Sequence, residues 1–326
     1  MSNQDDPVAR LISQAGARQR PSVAMEAEVR EVVHDEWLQT LQRERRQRAI
    51  WLSSAAAAIL VVLAGWQVSS RVGSPSPIVA ATLVQSRGHL IVAGRANVQP
   101  AETSTNSASN IYVGEDIDTG DNSALLSLGG KANIRLASHT RLRWRATGEI
   151  VLASGKLYVD SGLQSVPLLI DTAFGRVSHL GTSYQVSRNP DHLSVSVRDG
   201  TVQINTLHGG QMQVPARKAF KVDSQGIITQ HDIESHGSEW EWADELAPRF
   251  EGNNPTLAEF LEWVAHETGH TLKYSDAATR LTATQTILHL PAASESLAPM
   301  SALSMVLPAT DFDVRGSQDQ LIVQRK

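Results

Sequence analysis

The spacing of apolar residues changes three times along the chain, and each change predicts a different kind of structure. Apolar positions recur at helical spacing up to residue 48, are continuous over 49–68, alternate with polar ones from 78, and mix both patterns after 236. We therefore predict a multidomain chain. Its parts are a short α-helical segment (1–48), one transmembrane helix (49–68), a linker (69–77), an all-β domain of meander or solenoid-like strands (78–236), and a tryptophan connector with a small α+β module (237–326).

The run 49–68 has no charged residue. A helix of this length rises about 1.5 Å per residue and so crosses the roughly 30 Å hydrocarbon core of a bilayer. Trp51 and Trp66 stand near its two ends, where indole rings favour the interface. Four arginines occupy positions 43–48, whereas Arg71 stands alone on the other side. The positive-inside rule therefore predicts a cytoplasmic N-terminus, and a retained anchor fits better than a cleaved signal peptide.

The segment before this run contains two predicted amphipathic helices, the first at 7–16 and the second from about residue 21. In the second helix Val29, Val33 and Trp37 lie on one apolar stripe, with charged residues on the other face. Two such helices bury little surface by themselves. They either pack on each other as a hairpin or complete their apolar stripe in the groove of a partner. The second interpretation makes these three residues the contact candidates.

Alternating apolar residues dominate the chain from 78 to 233, and glycine, serine, asparagine and aspartate interrupt them about every eight residues. Leu142 and Trp144, for example, precede a turn at Gly148, and Ile150 and Leu152 follow it. This pattern predicts successive strands with one buried face. No loop gathers a nucleophile, a base and an acid, so we expect a binding protein and not an enzyme.

The last part of the chain reads as an α+β module. A helix is predicted at 256–268, with Asn254 as its cap, Pro255 at its first position and Gly269 as its stop. Strands are predicted at 271–274, 285–290, 312–314 and 321–323, and a second helix at 297–307 with Pro299 in its first turn.

A zinc motif falls at the end of the first of these helices, where His266, Glu267 and His270 spell H-E-x-x-H. In a zinc protease the histidines would bind the metal, with Glu267 as general base and Glu295 as a further ligand candidate. The glycine at 269 should end the helix before His270. On a helical wheel, His266 should share the solvent face with Glu259 and Glu262. We therefore predict no metal site here, and no cofactor elsewhere.

Charge and composition narrow the function further. The chain has 326 residues and a net charge of −5, and all of that excess lies after residue 68. Neither side of the predicted span has a basic surface suited to nucleic acid. The absence of cysteine removes thiol catalysis and cysteine-based zinc sites.

Several stretches of the sequence resemble the FecR family, the inner-membrane sigma-factor regulators (anti-sigma factors) of cell-surface signalling. GEDIDTGDNSALLSLGGKANIRLASHTRLRW at 114–144 follows the family pattern, and LGTSYQV at 180–186 followed by a V-x-D-G-T-V-Q-I run is the most specific part. Residues 239–274 resemble the family's tryptophan connector and the first half of its C-terminal secretin/TonB short N-terminal-like module. LISQAGAR and VVHDEW, near the N-terminus, resemble a cytoplasmic segment of one branch.

This resemblance implies a single-pass protein of the bacterial inner membrane with periplasmic C-terminal domains. Its cytoplasmic segment, with Val29, Val33 and Trp37, would bind an extracytoplasmic-function sigma factor, and residues within 250–326 would dock a TonB-dependent outer-membrane transducer. Some family members cleave themselves at the bond that corresponds to Gly181–Thr182, through attack by the threonine hydroxyl. A simple turn before the next strand is the alternative at these two residues. An envelope scaffold or polymer-binding protein without a sigma partner is the alternative function.

Overall fold

In a computed structural model, residues Pro77–Lys326 form one compact unit. The structure describes residues 77–92, 95–98, 110–162, 167–179, 181–207, 209–250, 252, 254–289, 297–317 and 319–326. The predicted helical segment 1–48 and the predicted span 49–68 lie outside these residues and stay predictions. Within the described part of the chain, no helix is both long enough and apolar enough to cross a bilayer.

Strands separated by short turns make up the first part of the unit, as the alternating pattern predicts. Their bounds are β1 (Val79–Arg87), β2 (Leu90–Val92), β3 (Arg95–Val98), β4 (Asn110–Tyr112), β5 (Asp116–Asp118), β6 (Ser123–Ser127), β7 (Asn133–Leu136), β8 (Arg141–Ala146), β9 (Glu149–Asp160), β10 (Leu169–Thr172), β11 (Gly175–His179), β12 (Ser183–Arg188), β13 (His192–Asp199), β14 (Thr201–Thr206), β15 (Gln211–Pro215), β16 (Lys218–Asp223) and β17 (Ile228–Asp232).

These strands form two sheets. Neighbours in the first sheet run β4, β1, β6, β7, β9, β12, β13, β16, β17. In the second sheet they run β3, β2, β5, β8, β9, β10, β11, β14, β15, and only β9 and β10 pair in parallel. Hairpins such as β12–β13 follow the expected meander. The connections β13 to β14 and β15 to β16 cross between the sheets, and the described neighbours other than β9 and β10 pair antiparallel. A solenoid would stack parallel strands, so the domain is a two-layer sandwich.

Strand β9 belongs to both sheets. Its residues 149–154 pair with β8 in the second sheet, and residues 155–160 pair with β12 in the first. Gly155, at the change-over, has a φ of +93°, and a Cβ atom there would lie 2.4 Å from the Cα atom of Thr140. Only glycine fits this position, which lets one long strand bend from sheet to sheet.

One apolar core fills the space between the two sheets. Trp144 and Ile150 enter it from the second sheet, and Val186 and Phe220 enter it from the first. Every one of these side chains is fully buried. The inward positions of the alternating pattern therefore form the core, as the sequence predicts.

A short helix, α1 (Glu241–Asp244), leads into the α+β module. Its elements are α2 (Leu257–Thr268), β18 (Thr271–Tyr274), α3 (Ala277–Gln285), α4 (Pro299–Val306), a 3₁₀ helix (Leu307–Ala309), β19 (Phe312–Ser317) and β20 (Gln320–Arg325). Strand β20 lies between β18, which is parallel to it, and β19, which is antiparallel. Leu261 and Val264 of α2 pack with Phe312 and Val323 in a core separate from that of the sandwich.

Two local predictions in the module are wrong. Helix α2 is capped by Thr256, and not by Asn254 with Pro255: the Thr256 side chain accepts from the Glu259 N–H, and the Glu259 carboxylate accepts from the Thr256 N–H. The predicted strand 285–290 begins at the last residue of α3, and among its described residues, 285–289, only Ile287 makes a bridge, to Thr256. Helix α3 escaped prediction because its threonine-rich sequence has too few apolar residues to mark a stripe.

Candidate functional site

Helix α2 ends against the outer face of the sandwich, and its last turn carries the H-E-x-x-H residues. Gly269 terminates the helix in the left-handed conformation, with a φ of +70°, as predicted. A Cβ atom at this glycine would lie 2.0 Å from the Ser235 carbonyl oxygen and 2.6 Å from Nε of Arg198. The same residue therefore ends the helix and allows its close approach to the sandwich.

The surface of the first sheet beneath this helix end is polar and covered. Cross-strand pairs join Arg135 to Tyr158, Tyr158 to Gln185, and Asp160 to Ser183, so outward side chains of β7, β9, β12 and β13 are contiguous. We call this patch the polar docking face. Its members, all buried, are Arg135, Tyr158, Asp160, Ser183, Gln185, Ser196 and Arg198.

Arg135 anchors one side of the polar docking face. Its guanidinium is fully buried, donates to the Ala243 carbonyl oxygen at 2.8 Å, and forms an ion pair with Glu267. It also lies 4.8 Å from the centre of the Tyr158 ring. Burial is the largest single effect and opposes its charge, but Glu267, Tyr158 and Asp160 together outweigh it and raise the pKa of Arg135. Burial raises the pKa of Glu267, so each member of the pair depends on the other.

Arg198 holds the connector and the end of α2 together. Its Nε donates to the Ser235 carbonyl oxygen at 2.7 Å, and its Nη1 donates to the Glu267 carbonyl oxygen at 2.9 Å. Its Nη2 donates to Asp244 at 3.2 Å, and the guanidinium lies 4.8 Å from the Trp240 ring centre. The Glu267 carbonyl belongs to the last turn of the helix, where the backbone dipole favours a cation.

His266 makes the third polar contact across this boundary. Its Nε2 donates to Oδ2 of Asp160 at 2.8 Å, while Ser183 donates to Oδ1 of the same carboxylate at 3.0 Å. Burial would raise the pKa of Asp160, but the hydrogen bond and charge of His266, with Arg135, lower it to about 2. The same hydrogen bond raises the pKa of His266. His266 is 55% exposed, so the predicted solvent face is right, but the prediction missed its partner.

Two tryptophans of the connector complete the contact. Trp240 is fully buried and packs edge-on against Tyr158, with ring centres 6.0 Å apart. Trp242 donates through Nε1 to the Gln185 side-chain oxygen at 2.7 Å. Tyr158, Trp240 and Ala243 form a small apolar cluster distinct from the cores of the sandwich and the module.

The zinc-motif residues do not converge on one point. His270 turns away from His266: its Nδ1 bonds to the Thr268 hydroxyl at 2.8 Å, and its ring lies 4.7 Å from that of His236. Asp160, His266 and Glu267 do place ligand atoms within 4.8 Å of one another. The Arg135 guanidinium sits on Glu267, however, and a divalent cation beside this buried charge would be strongly repelled. The group is better described as an ion-pair network.

Gly181 and Thr182 lie directly before strand β12, at the edge of the polar docking face. Gly181 has a φ of +60°, and Thr182 is 2% exposed. The Thr182 N–H donates to the Ser161 hydroxyl at 2.9 Å, and this hydroxyl donates to the Thr182 carbonyl oxygen at 3.1 Å. Oγ1 of Thr182 is buried without a hydrogen-bond partner among the described residues. His179 lies 3.3 Å from the Ser161 oxygen, and burial lowers its pKa to about 4.

The remaining candidates stand as follows. Val29, Val33 and Trp37 lie outside the described residues. The range 250–326, predicted to dock a transducer, corresponds to the module. Within it, the end of helix α2 contacts the sandwich through His266 and Glu267.

Sequence reasoning missed Arg135 and Arg198 because both occupy outward positions of their strands. Alternation places Ile134 and Leu136 in the core, so Arg135 reads as solvent-exposed. In the fold Arg135 is covered by residues 108 and 132 positions further along the chain, and Arg198 by residues 37 to 69 positions further along. For Arg135, a charge between the core residues Ile134 and Leu136 was the available signal.

Residues 115–203 match the FecR protein family. The chain contains a FecR domain. The match lies inside the β-sandwich and includes every member of the polar docking face, from Arg135 to Arg198. The resemblance seen in the sequence is confirmed for this part of the chain.

Two crystal structures of a candidate anti-sigma factor from Parabacteroides distasonis are similar to the chain at 13% identity and a TM-score of 0.35. The similarity covers 65% of this chain and 99% or 98% of theirs. No curated protein matches the chain. Because this structural likeness is weak, the assignment depends on the family match.

Proposed function

We propose that the chain is a single-pass membrane regulator of the anti-sigma type, and not an enzyme. The observation that carries this proposal is the FecR domain at 115–203, placed after an uncharged run of membrane-spanning length at 49–68. In this proposal residues 1–48 bind an extracytoplasmic-function sigma factor in the bacterial cytoplasm. The FecR domain and the module receive a signal in the periplasm, with a TonB-dependent outer-membrane transducer as the candidate source.

The contacts of two zinc-motif residues support a binding role. Glu267 and His266 are engaged in ion pairs between the module and the sandwich. The sigma-binding surface, in contrast, is proposed from the apolar stripe with Val29, Val33 and Trp37. A short amphipathic helix gains its stability by laying such a stripe into a partner's groove.

Co-purification of the full-length chain with each extracytoplasmic-function sigma factor of the cell tests the proposal. We expect one of them to bind, and Trp37→Ala with Val33→Asp to weaken binding at least tenfold. Glu31→Ala, on the charged face of the same helix, is the matched control and should bind normally. Binding of no sigma factor would overturn the proposal, and retention of the chain on cell-wall material would then favour the envelope-scaffold alternative.

A reporter fused after Lys326 tests the proposed topology separately. We expect it to lie outside the cytoplasm, because the arginines at 43–48 hold the other end inside. A cytoplasmic reporter would contradict the membrane part of the proposal while leaving the FecR domain in place.

A further inference from the structure

The sandwich and the module keep separate apolar cores. The described core of the sandwich ends at Val222, and the described core of the module begins with Phe250 and Leu257. Between the two lie the small apolar cluster formed by Tyr158, Trp240 and Ala243 and the buried Leu246. Among the described residues, no continuous apolar core therefore joins the sandwich to the module.

Charged groups make the direct contacts between helix α2 and the sandwich. Arg135 pairs with Glu267, Asp160 pairs with His266, and Arg198 donates to the Glu267 backbone carbonyl. Arg135 and Glu267 are buried, with 0% and 5% of their side chains exposed. The contact therefore buries a cation and an anion, together with a second arginine.

Separation of such a contact differs physically from separation of an apolar one. When an apolar interface opens, its surface meets water at a cost proportional to area. When buried ions separate, each regains its hydration, which offsets most of the lost attraction. An interface of this kind can be specific in its closed form and still open readily. Loss of one partner alone, in contrast, leaves a buried charge uncompensated and favours the open form strongly.

The connector places the point of bending. Helix α1 stays with the sandwich, because Trp240 packs on Tyr158, and Glu245 accepts from Arg87 at 2.6 Å. Phe250 already packs on Trp263 in the module, with ring centres 5.4 Å apart. The chain passes from one part to the other within 246–249, a stretch that contains a proline at 248.

We propose that the module is a releasable cap on the polar docking face, hinged at 246–249. It is held by the buried Arg135–Glu267 pair and by the Asp160–His266 pair, with the partly exposed Arg217–Asp319 pair beside them. Opening separates α2 from the sandwich and uncovers Ser183, which pairs in register with Asp160 beside Gly181 and Thr182. In the proposed regulator, the closed and open forms of the cap would be two signalling states. That role rests on the proposed function, but opening of the cap does not, because it can be measured without a sigma factor.

The chain has no cysteine, so a single introduced cysteine can be labelled selectively and its labelling rate measures opening. Ser183→Cys introduces a thiol on the polar docking face, 7% exposed in the closed form. Ala124→Cys introduces one in the sandwich core, where only unfolding of the sandwich exposes it. Maleimide labelling rates of the two full-length variants then separate opening of the cap from global unfolding.

We expect Ser183→Cys to label at least tenfold faster than Ala124→Cys. Addition of Glu267→Gln should raise the Ser183→Cys rate at least tenfold further and leave the Ala124→Cys rate unchanged. The double substitution Arg135→Met with Glu267→Leu replaces the ion pair by apolar side chains, and it should label no faster than the parent.

Three results would overturn the releasable cap. One is equal labelling of the two thiols in the Glu267→Gln background, which would indicate a loss of the whole fold. Another is an unchanged Ser183→Cys rate on removal of the Glu267 charge. The third is fast labelling of the apolar double variant, since closure would then not depend on charge.

Discussion

At the residue scale, the His266–Asp160 pair gives the unit a pH dependence of known sign. The pKa of His266 is raised from 6.5, first by its hydrogen bond to Asp160, so this contribution to stability is full below pH 6.5 and is lost as pH rises through the raised pKa. The pKa of Asp160 is lowered from 3.8 to about 2, so its contribution is full above pH 3.8 and is lost toward pH 2. Glu267 and Arg135 also face His266, with opposite effects on its charge.

We therefore predict that His266→Ala destabilises the chain most between about pH 4 and pH 6.5, with a smaller effect above that window. Urea unfolding of variant and parent at a series of pH values measures the difference. His231→Ala, on the exposed strand β17, is the control and should give a small difference. A His266→Ala effect that grows with rising pH would show that the imidazole does not stabilise the fold as a cation.

Thr182 is a second test at this scale. Its hydroxyl is buried without a partner in the described part of the chain, so its desolvation is uncompensated. We predict that Thr182→Val leaves the free energy of unfolding unchanged or raises it by up to about 1 kcal/mol.

The same variant tests self-cleavage. We interpret Gly181–Thr182 as a turn, and so expect the parent and Thr182→Val to migrate as intact chains on a denaturing gel. A parent split after Gly181, beside an intact variant, would instead establish cleavage by the threonine hydroxyl.

At the element scale, strand β9 is the one element that both sheets require. We predict that Gly155→Ala destabilises the chain by about 2–5 kcal/mol, since it adds overpacking against Thr140 to the strain of a left-handed alanine. Gly129→Ala is the matched control: its φ is +58°, and no atom lies within 4 Å of the added Cβ, so only about 1–2 kcal/mol of strain applies. Equal losses in denaturant unfolding would mean that β9 relaxes around the new methyl group.

The elements also show what the sequence could predict. Alternation identifies core strands correctly because inward residues such as Trp144 and Ile150 meet only other apolar residues. The same alternation is silent about Arg135, whose outward position is covered by a distant helix. Helix α3 was missed since its alanines and threonines give no apolar stripe. Local pattern therefore predicts the cores well, but it predicts the polar contact between them poorly.

At the scale of the whole unit, separate cores imply that the sandwich can fold without the module. Removal of the module exposes the polar docking face, where Arg135, Asp160 and Arg198 become hydrated and do not remain buried and unpaired. A substitution such as Glu267→Gln leaves Arg135 without its charged partner in the closed form, and this uncompensated charge favours opening. Loss of the entire module, by contrast, removes helix α2, which covers these side chains, so they meet water.

We predict that a chain ending at Ala247 keeps a cooperatively folded sandwich, because no described member of its core lies beyond Val222. Its urea unfolding, followed by circular dichroism, should stay a single transition with a smaller denaturant slope, since less surface is exposed on unfolding. A chain ending at Ala216 loses Phe220 and Val222 from the core and should be unfolded. If both truncated chains are unfolded, the sandwich depends on the module for stability. The module would then be a permanent part of the fold, and this result would contradict the releasable cap.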